Sequence, residues 1–323
     1  MKCSEPHRAS DPKAEVSALI LARDPINAME HDLSHLPEYH ATDFNIDGGL
    51  RRTLAPAAVA DRRLLLCGGS TVICSDVADH ETLPSHLQTF LNAEMVPIRV
   101  ENWGRWGSTV ENRAFYLRRV ARPRAGDLVV IYFGVNDTGY RLYNHARYPT
   151  NGSARKILAM TMRLLRASSH RARGFRPILR LFVILPLSGL LAVMTVFVTL
   201  KALRREYQHW DSLGVGFLAV LQPNLVDYSQ RHGLRDDRVP RSLELSIMNR
   251  CAYTLYRRAS KLARFKSVIV DASRRLDDSL DRYLDWSHLD SRGNKLIASA
   301  IFQDPDFSAL QLLPIGTSSS DPA

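Results

Sequence analysis

The sequence predicts an α/β protein, a doubly wound parallel five-stranded sheet in a three-layer α/β/α arrangement. Three observations predict it. Short runs rich in branched and aromatic residues recur at 64–66, 96–100, 128–133, 215–221 and 267–270, each the length of a strand. Segments with helix caps and helical periodicity separate most of these runs, and strands alternating with helices build parallel sheets. The run Leu128-Val129-Val130-Ile131-Tyr132-Phe133 is apolar without interruption, as a strand covered on both faces must be.

Each element follows from local chemistry. Residues 1–60 are mostly polar and read as an N-terminal extension without assigned chemistry, with a turn at Asn45-Ile46-Asp47-Gly48-Gly49. The first strand, 64–66, runs through Cys67 into Gly68 and Gly69, which permit a sharp turn and leave Ser70 at the strand's carboxyl end. In open α/β sheets ligands sit at that edge, so Ser70 is a candidate nucleophile. Thr82 caps a helix reaching residue 93, and Pro84 is tolerated in its first turn. Strand 96–100 is followed by a helix opening at Thr109 and running to about 120, then by the strand at 128–133. The fourth strand, 215–221, ends at Gln222-Pro223. A helix over 241–265, a strand over 267–270, and a last helix over 292–302 complete a domain spanning 61–303. Residues 304–323 read as a poorly ordered tail.

Four blocks fall in a telling order: Gly68-Gly69-Ser70-Thr71; Asn102-Trp103-Gly104-Arg105-Trp106-Gly107-Ser108-Thr109; Gly134-Val135-Asn136-Asp137; and Asp285-Trp286-Ser287-His288. Together they resemble the SGNH/GDSL hydrolases, over residues 62–302, as does the run from Leu289 to Ala298. The resemblance implies a flavodoxin-like SGNH fold and a serine esterase that works through an acyl-enzyme without metal or organic cofactor. It assigns Ser70 as nucleophile, His288 as base and Asp285 as the group orienting it. The oxyanion donors would be the Ser70 and Gly107 N–H groups and the Asn136 amide. Acyl chemistry needs each of these parts: a nucleophile, its base, an orienting acid, and donors where negative charge develops. The family's first block commonly has aspartate where this chain has Gly69. The substrate implied is a small-molecule, lipid or glycan ester; a sugar or lipid hydroxyl in place of water would make the protein an O-acyltransferase. A catalytically silent membrane-associated scaffold is the non-enzyme alternative, against which Ser70, Asp285 and His288 all being present argues.

Between the third and fourth strands, residues 138–210 form a basic and hydrophobic insert. Its core, 181–200, holds twenty residues without a charge, enough to cross a bilayer as a helix, with Arg171, Arg173, Arg176 and Arg180 before it and Lys201, Arg204 and Arg205 after it. A single crossing would separate Ser70 and Asn136 from His288, so Pro186 and Gly189 are read as a break that lets the segment dip into one leaflet or lie along it. The expectation is attachment to an anionic membrane surface through 171–205, on the cytoplasmic side, or else a buried helix or an apolar lid folded over the acyl pocket, since such a run needs no lipid where protein covers it. A net charge of +10 suits an anionic surface, yet no nucleic-acid-binding pattern is visible and no nucleic-acid partner is expected. Cys3, Cys67, Cys74 and Cys251 have no paired spacing, which suggests a reduced compartment, and the N-terminal apolar run is too short for a secretory signal. His31, His35 and His40, near Asp32 and Glu38, fit no metal template. Asp79 and His80 read as capping residues near the pocket mouth, and Trp103 and Trp106 as packing beside the site.

Overall fold

Eight strands form a single sheet in the computed structural model, which describes residues 36–140, 185–240 and 243–311 together with Glu15. In chain order these are β1 (Tyr39–His40), β2 (Asn45–Asp47), β3 (Leu50–Arg51), β4 (Arg62–Gly68), β5 (Ile98–Gly104), β6 (Leu128–Phe133), β7 (Gly216–Leu221) and β8 (Ile269–Asp271). Their order across the sheet is β1-β2-β3-β5-β4-β6-β7-β8. The five strands from β4 to β8 pair in parallel and are the five the sequence predicts. Numbered among themselves they lie in the order 2-1-3-4-5, the doubly wound arrangement whose order reverses between β4 and β6.

The strand count corrects the five-stranded expectation. Three short antiparallel strands from the N-terminal segment extend the sheet beyond β5, with Arg51 paired to Asn102. The turn at Gly48-Gly49, both at positive φ, joins β2 to β3, while Leu36, Phe44 and Ile46 bury a small apolar cluster with Ile73. That cluster is what a mostly polar composition conceals.

The helices are α1 (Ser70–Ile73), α2 (Leu83–Ala93), α3 (Val110–Tyr116), α4 (Leu185–Asp211), α5 (Leu225–His232), α6 (Leu243–Ser260), α7 (Ser291–Phe302) and α8 (Pro305–Gln311). Thr82 accepts the Ser85 N–H at the head of α2, as its sequence predicts. The period-two side-chain alternation of a strand sorts the core into two sides. Leu65, Val129, Ile131, Phe133 and Phe217 meet α3, α4 and α6, whereas Leu64, Leu66, Val130, Tyr132 and Leu218 meet α2, α7 and α8. Two elements depart from the sequence reading. Asn224 caps α5, an unpredicted helix, by accepting the Val226 N–H. Residues 305–311, read as part of a disordered tail, form α8, because Phe307 is fully buried and Arg62 holds the carbonyls of Leu310 and Gln311.

The hydrophobic insert is described from Leu185 onward; Arg171, Arg173, Arg176 and Arg180 lie outside the described residues. From there α4 runs unbroken for 27 residues through Gly189, so the expected break at Pro186 and Gly189 is absent from the described helix. Its inner side, including Leu191, Val196, Leu203 and Trp210, is part of the core. No described helix is long and apolar enough to cross a membrane.

Candidate active site

The site begins where β4 stops. Ser70 opens α1, a single turn with Gly69 as its N-cap residue, and the first N–H groups of such a turn have no intrahelical acceptor. Ser70 therefore stands at the carboxyl edge of the sheet with donors around it, and Asn136 follows β6, across the crevice at which strand order reverses. Gly69 makes room for Asn136: a Cβ there would lie 2.0 Å from Asn136 Nδ2, so that amide would have to move.

On the far side of the chain, the loop after the 3₁₀ turn Leu280–Arg282 delivers the other two groups. Asp285 Oδ1 accepts the N–H groups of Ser287 and His288, each at 2.7 Å, which folds the loop into a tight turn. Leu284 N–H donates to the His288 carbonyl, Leu225 N–H to that of Trp286, and Arg238 to that of Tyr283, so the loop is tied to itself and to α5. As a result Asp285 Oδ2 lies 2.6 Å from His288 Nδ1, and His288 Nε2 lies 2.8 Å from Ser70 Oγ. Burial pushes the Asp285 carboxyl up, but the hydrogen bonds from the His288 ring and from the Ser287 and His288 N–H groups outweigh it and hold the group well below the usual carboxylate range. An ionised Asp285 can only accept, so in the neutral imidazole Nδ1 carries the proton and Nε2 is left to accept from the Ser70 hydroxyl.

No family model and no curated protein matches the chain. Solved structures do. The chain is similar to an acetylxylan esterase, Axe2 from Geobacillus stearothermophilus, at 17% identity with a TM-score of 0.43, covering 76% of this chain and 94% of that one. It is similar to a member of the lipolytic G-D-S-L family from Veillonella parvula at 12% identity and TM-score 0.42, over 75% and 96% of the two chains. A third, LAE5, an alpha/beta hydrolase enzyme from the Lake Arreo metagenome, matches at 15% identity and TM-score 0.42, over 81% of this chain and all of that one.

The two remaining residues named from sequence meet at Ser108. Gly107 sits at φ +70°, a conformation that disfavours any side chain, and the carbonyl of the following Ser108 accepts from Asn136 Nδ2 at 3.1 Å. One amide hydrogen of Asn136 is thus used to fix the side chain while the second is free of that bond. Two buried groups that sequence reasoning missed brace this arrangement. Asp137, fully buried, accepts the Val110 N–H at 2.8 Å and the Gly134 N–H at 3.1 Å, clamping the loop after β6 to the start of α3. Arg113 spans the carbonyls of Tyr132 and Ser108. Gly104 serves packing, since a Cβ there would meet the Ile73 nitrogen at 2.3 Å.

The expected tryptophan pair divides. Trp103 is buried against Tyr116, and Trp106 packs on the N-terminal cluster. Asp79 accepts from Arg51 Nε at 2.7 Å and from Asn45; His80 is exposed. The same Arg51, with a side chain at 0% exposure, donates to the carbonyls of Ile73, Cys74, Val77 and Asp43, so the N-terminal segment secures the far end of the helix that carries Ser70. His31, Asp32 and His35 lie outside the described residues, and Glu38, His40 and Asp47 gather on an exposed surface. Cys67 and Cys74 are buried free thiols whose pKa values burial raises to about 12 and about 11.

Proposed function

We propose that the protein is a serine esterase acting through Ser70, His288 and Asp285. The observation that carries this reading is the unbroken hydrogen-bonded series from Ser70 Oγ through the His288 ring to Asp285, built from the start of α1 and a loop 218 residues away in sequence. His288 Nε2 takes the hydroxyl proton as Ser70 Oγ attacks the ester carbonyl. The oxyanion is met by the Ser70 and Gly107 N–H groups and by the second Asn136 amide hydrogen. As the tetrahedral intermediate collapses, the proton on Nε2 passes to the leaving alcohol, leaving the acyl group on Ser70. Water then enters; Nε2 removes its proton, and the collapse of the second intermediate releases the acid and returns that proton to Ser70. Asp285 stays ionised throughout, holding the tautomer and balancing the imidazolium.

The test is hydrolysis of nitrophenyl esters from acetyl to long acyl, with wild type and Ser70→Ala side by side. Ester turnover by wild type and its loss in the variant, with circular dichroism and melting temperature unchanged, is the expected result. Equal turnover by the variant would refute the assignment.

A further inference from the structure

The outward face of α4 has no counterpart in the esterase mechanism. Leu190, Val193 and Phe197 are 54%, 50% and 67% exposed and recur at helical spacing, so three large apolar side chains form one stripe facing solvent. Pro186 is exposed one turn earlier on the same side. Continuing along it, Lys201 and Arg204 are exposed and make no ion pair with described residues, and Arg205 stands beside them. The opposite side of the same helix is core, so this orientation is fixed by packing.

Topology places the stripe. The strands β6 and β7 are parallel, and α4 ends five residues before β7 begins at the amino edge of the sheet. The helix therefore descends from the carboxyl edge, and its apolar half stands at the edge that carries Ser70, Asn136 and His288; it also packs against the turn Asn136–Tyr140. An outward face that is apolar beside the site and cationic farther along matches the order of a bilayer surface, with acyl chains below a layer of phosphates.

We propose that the outer face of α4 docks on an anionic phospholipid surface, with Leu190, Val193 and Phe197 entering the acyl boundary and Lys201, Arg204 and Arg205 meeting the headgroup phosphates. Such docking brings the carboxyl edge of the sheet to the membrane. On the esterase reading, the substrate is then a lipid ester drawn from that surface.

The experiment is sedimentation of the full chain with vesicles of phosphatidylcholine alone or mixed with phosphatidylglycerol. Wild type is compared with Leu190→Ser/Phe197→Ser and with Lys201→Glu/Arg204→Glu. Two controls accompany it: turnover of a soluble short-chain nitrophenyl ester, and light scattering for oligomeric state. Wild type binds the mixed vesicles and releases them at high salt; the serine pair weakens binding by about tenfold or more, and the glutamate pair abolishes the preference for anionic lipid. Turnover of the soluble ester is the same in all three, which keeps this outcome separate from the esterase reading. Failure of wild type to bind mixed vesicles, or equal binding by all three proteins, overturns the proposal. Dissociation of an oligomer by the serine pair without change in vesicle binding overturns it too, assigning the stripe to a second copy.

Discussion

At position 69 a side chain and the Asn136 amide, the proposed oxyanion donor, would compete for the same space. With Cβ absent, Asn136 Nδ2 occupies a position only 2.0 Å from where that carbon would be, and from there it reaches the Ser108 carbonyl. Gly69→Ala is therefore expected to displace the Asn136 amide and lower kcat by roughly 10²–10³, the usual consequence of losing one oxyanion donor, with the melting temperature and KM little changed. Steady-state kinetics with a nitrophenyl ester checks this, and an unaltered kcat would contradict it. The candidate site residues were legible in the sequence because four short blocks, in order along the chain, resemble those of a known hydrolase family. Their braces were not. Arg51, Arg113 and Asp137 belong to residue types that mostly sit solvated on surfaces, and only the fold reveals that each is buried with its polar groups directed at backbone carbonyls or N–H groups.

Among the elements, the N-terminal strands do more than lengthen the sheet. Arg51 enters from β3, lies 3.8 Å from the Phe44 ring centroid, and joins Asp79 to the carbonyl end of α1. Removing Arg51 leaves Asp79 with only its Asn45 hydrogen bonds to offset its desolvation and deprives the Ile73, Cys74, Val77 and Asp43 carbonyls of a donor. Arg51→Met is expected to lower unfolding free energy by about 3–5 kcal/mol, read as a shifted midpoint in urea denaturation. A change below about 1 kcal/mol would mean that water replaces the guanidinium at little cost. The helices α5 and α8 escaped the sequence reading because each is short, so a cap and one or two buried apolar residues decide them. The insert was legible as apolar but misread in shape. A helix with one side in the core and an apolar stripe on the other has the same composition as a membrane segment, and Pro186 and Gly189 suggest a break that packing against α6 and the sheet does not allow.

For the whole molecule, the site is a consequence of strand order. The connections leave β4 and β6 in opposite directions at the carboxyl edge, which opens a crevice there, and Ser70 and Asn136 stand two and three residues after the ends of those two strands. Alternation of strands and helices made a parallel, doubly wound sheet legible in the sequence, while the order of its strands is set by tertiary packing. The antiparallel addition beyond β5 was not legible, because strands of two or three residues carry too little pattern. The His288 loop reaches the crevice from 218 residues away, so an accurate hydrogen-bonded series there depends on the entire fold being in place. The measurement that tests the central claim most directly is covalent capture with a fluorophosphonate, followed by intact mass and peptide mapping of wild type and His288→Ala. One adduct per chain on Ser70 in wild type, formed far more slowly in His288→Ala, is the predicted result. An adduct on another residue, or none on Ser70 under conditions that label a known serine esterase, would contradict the account.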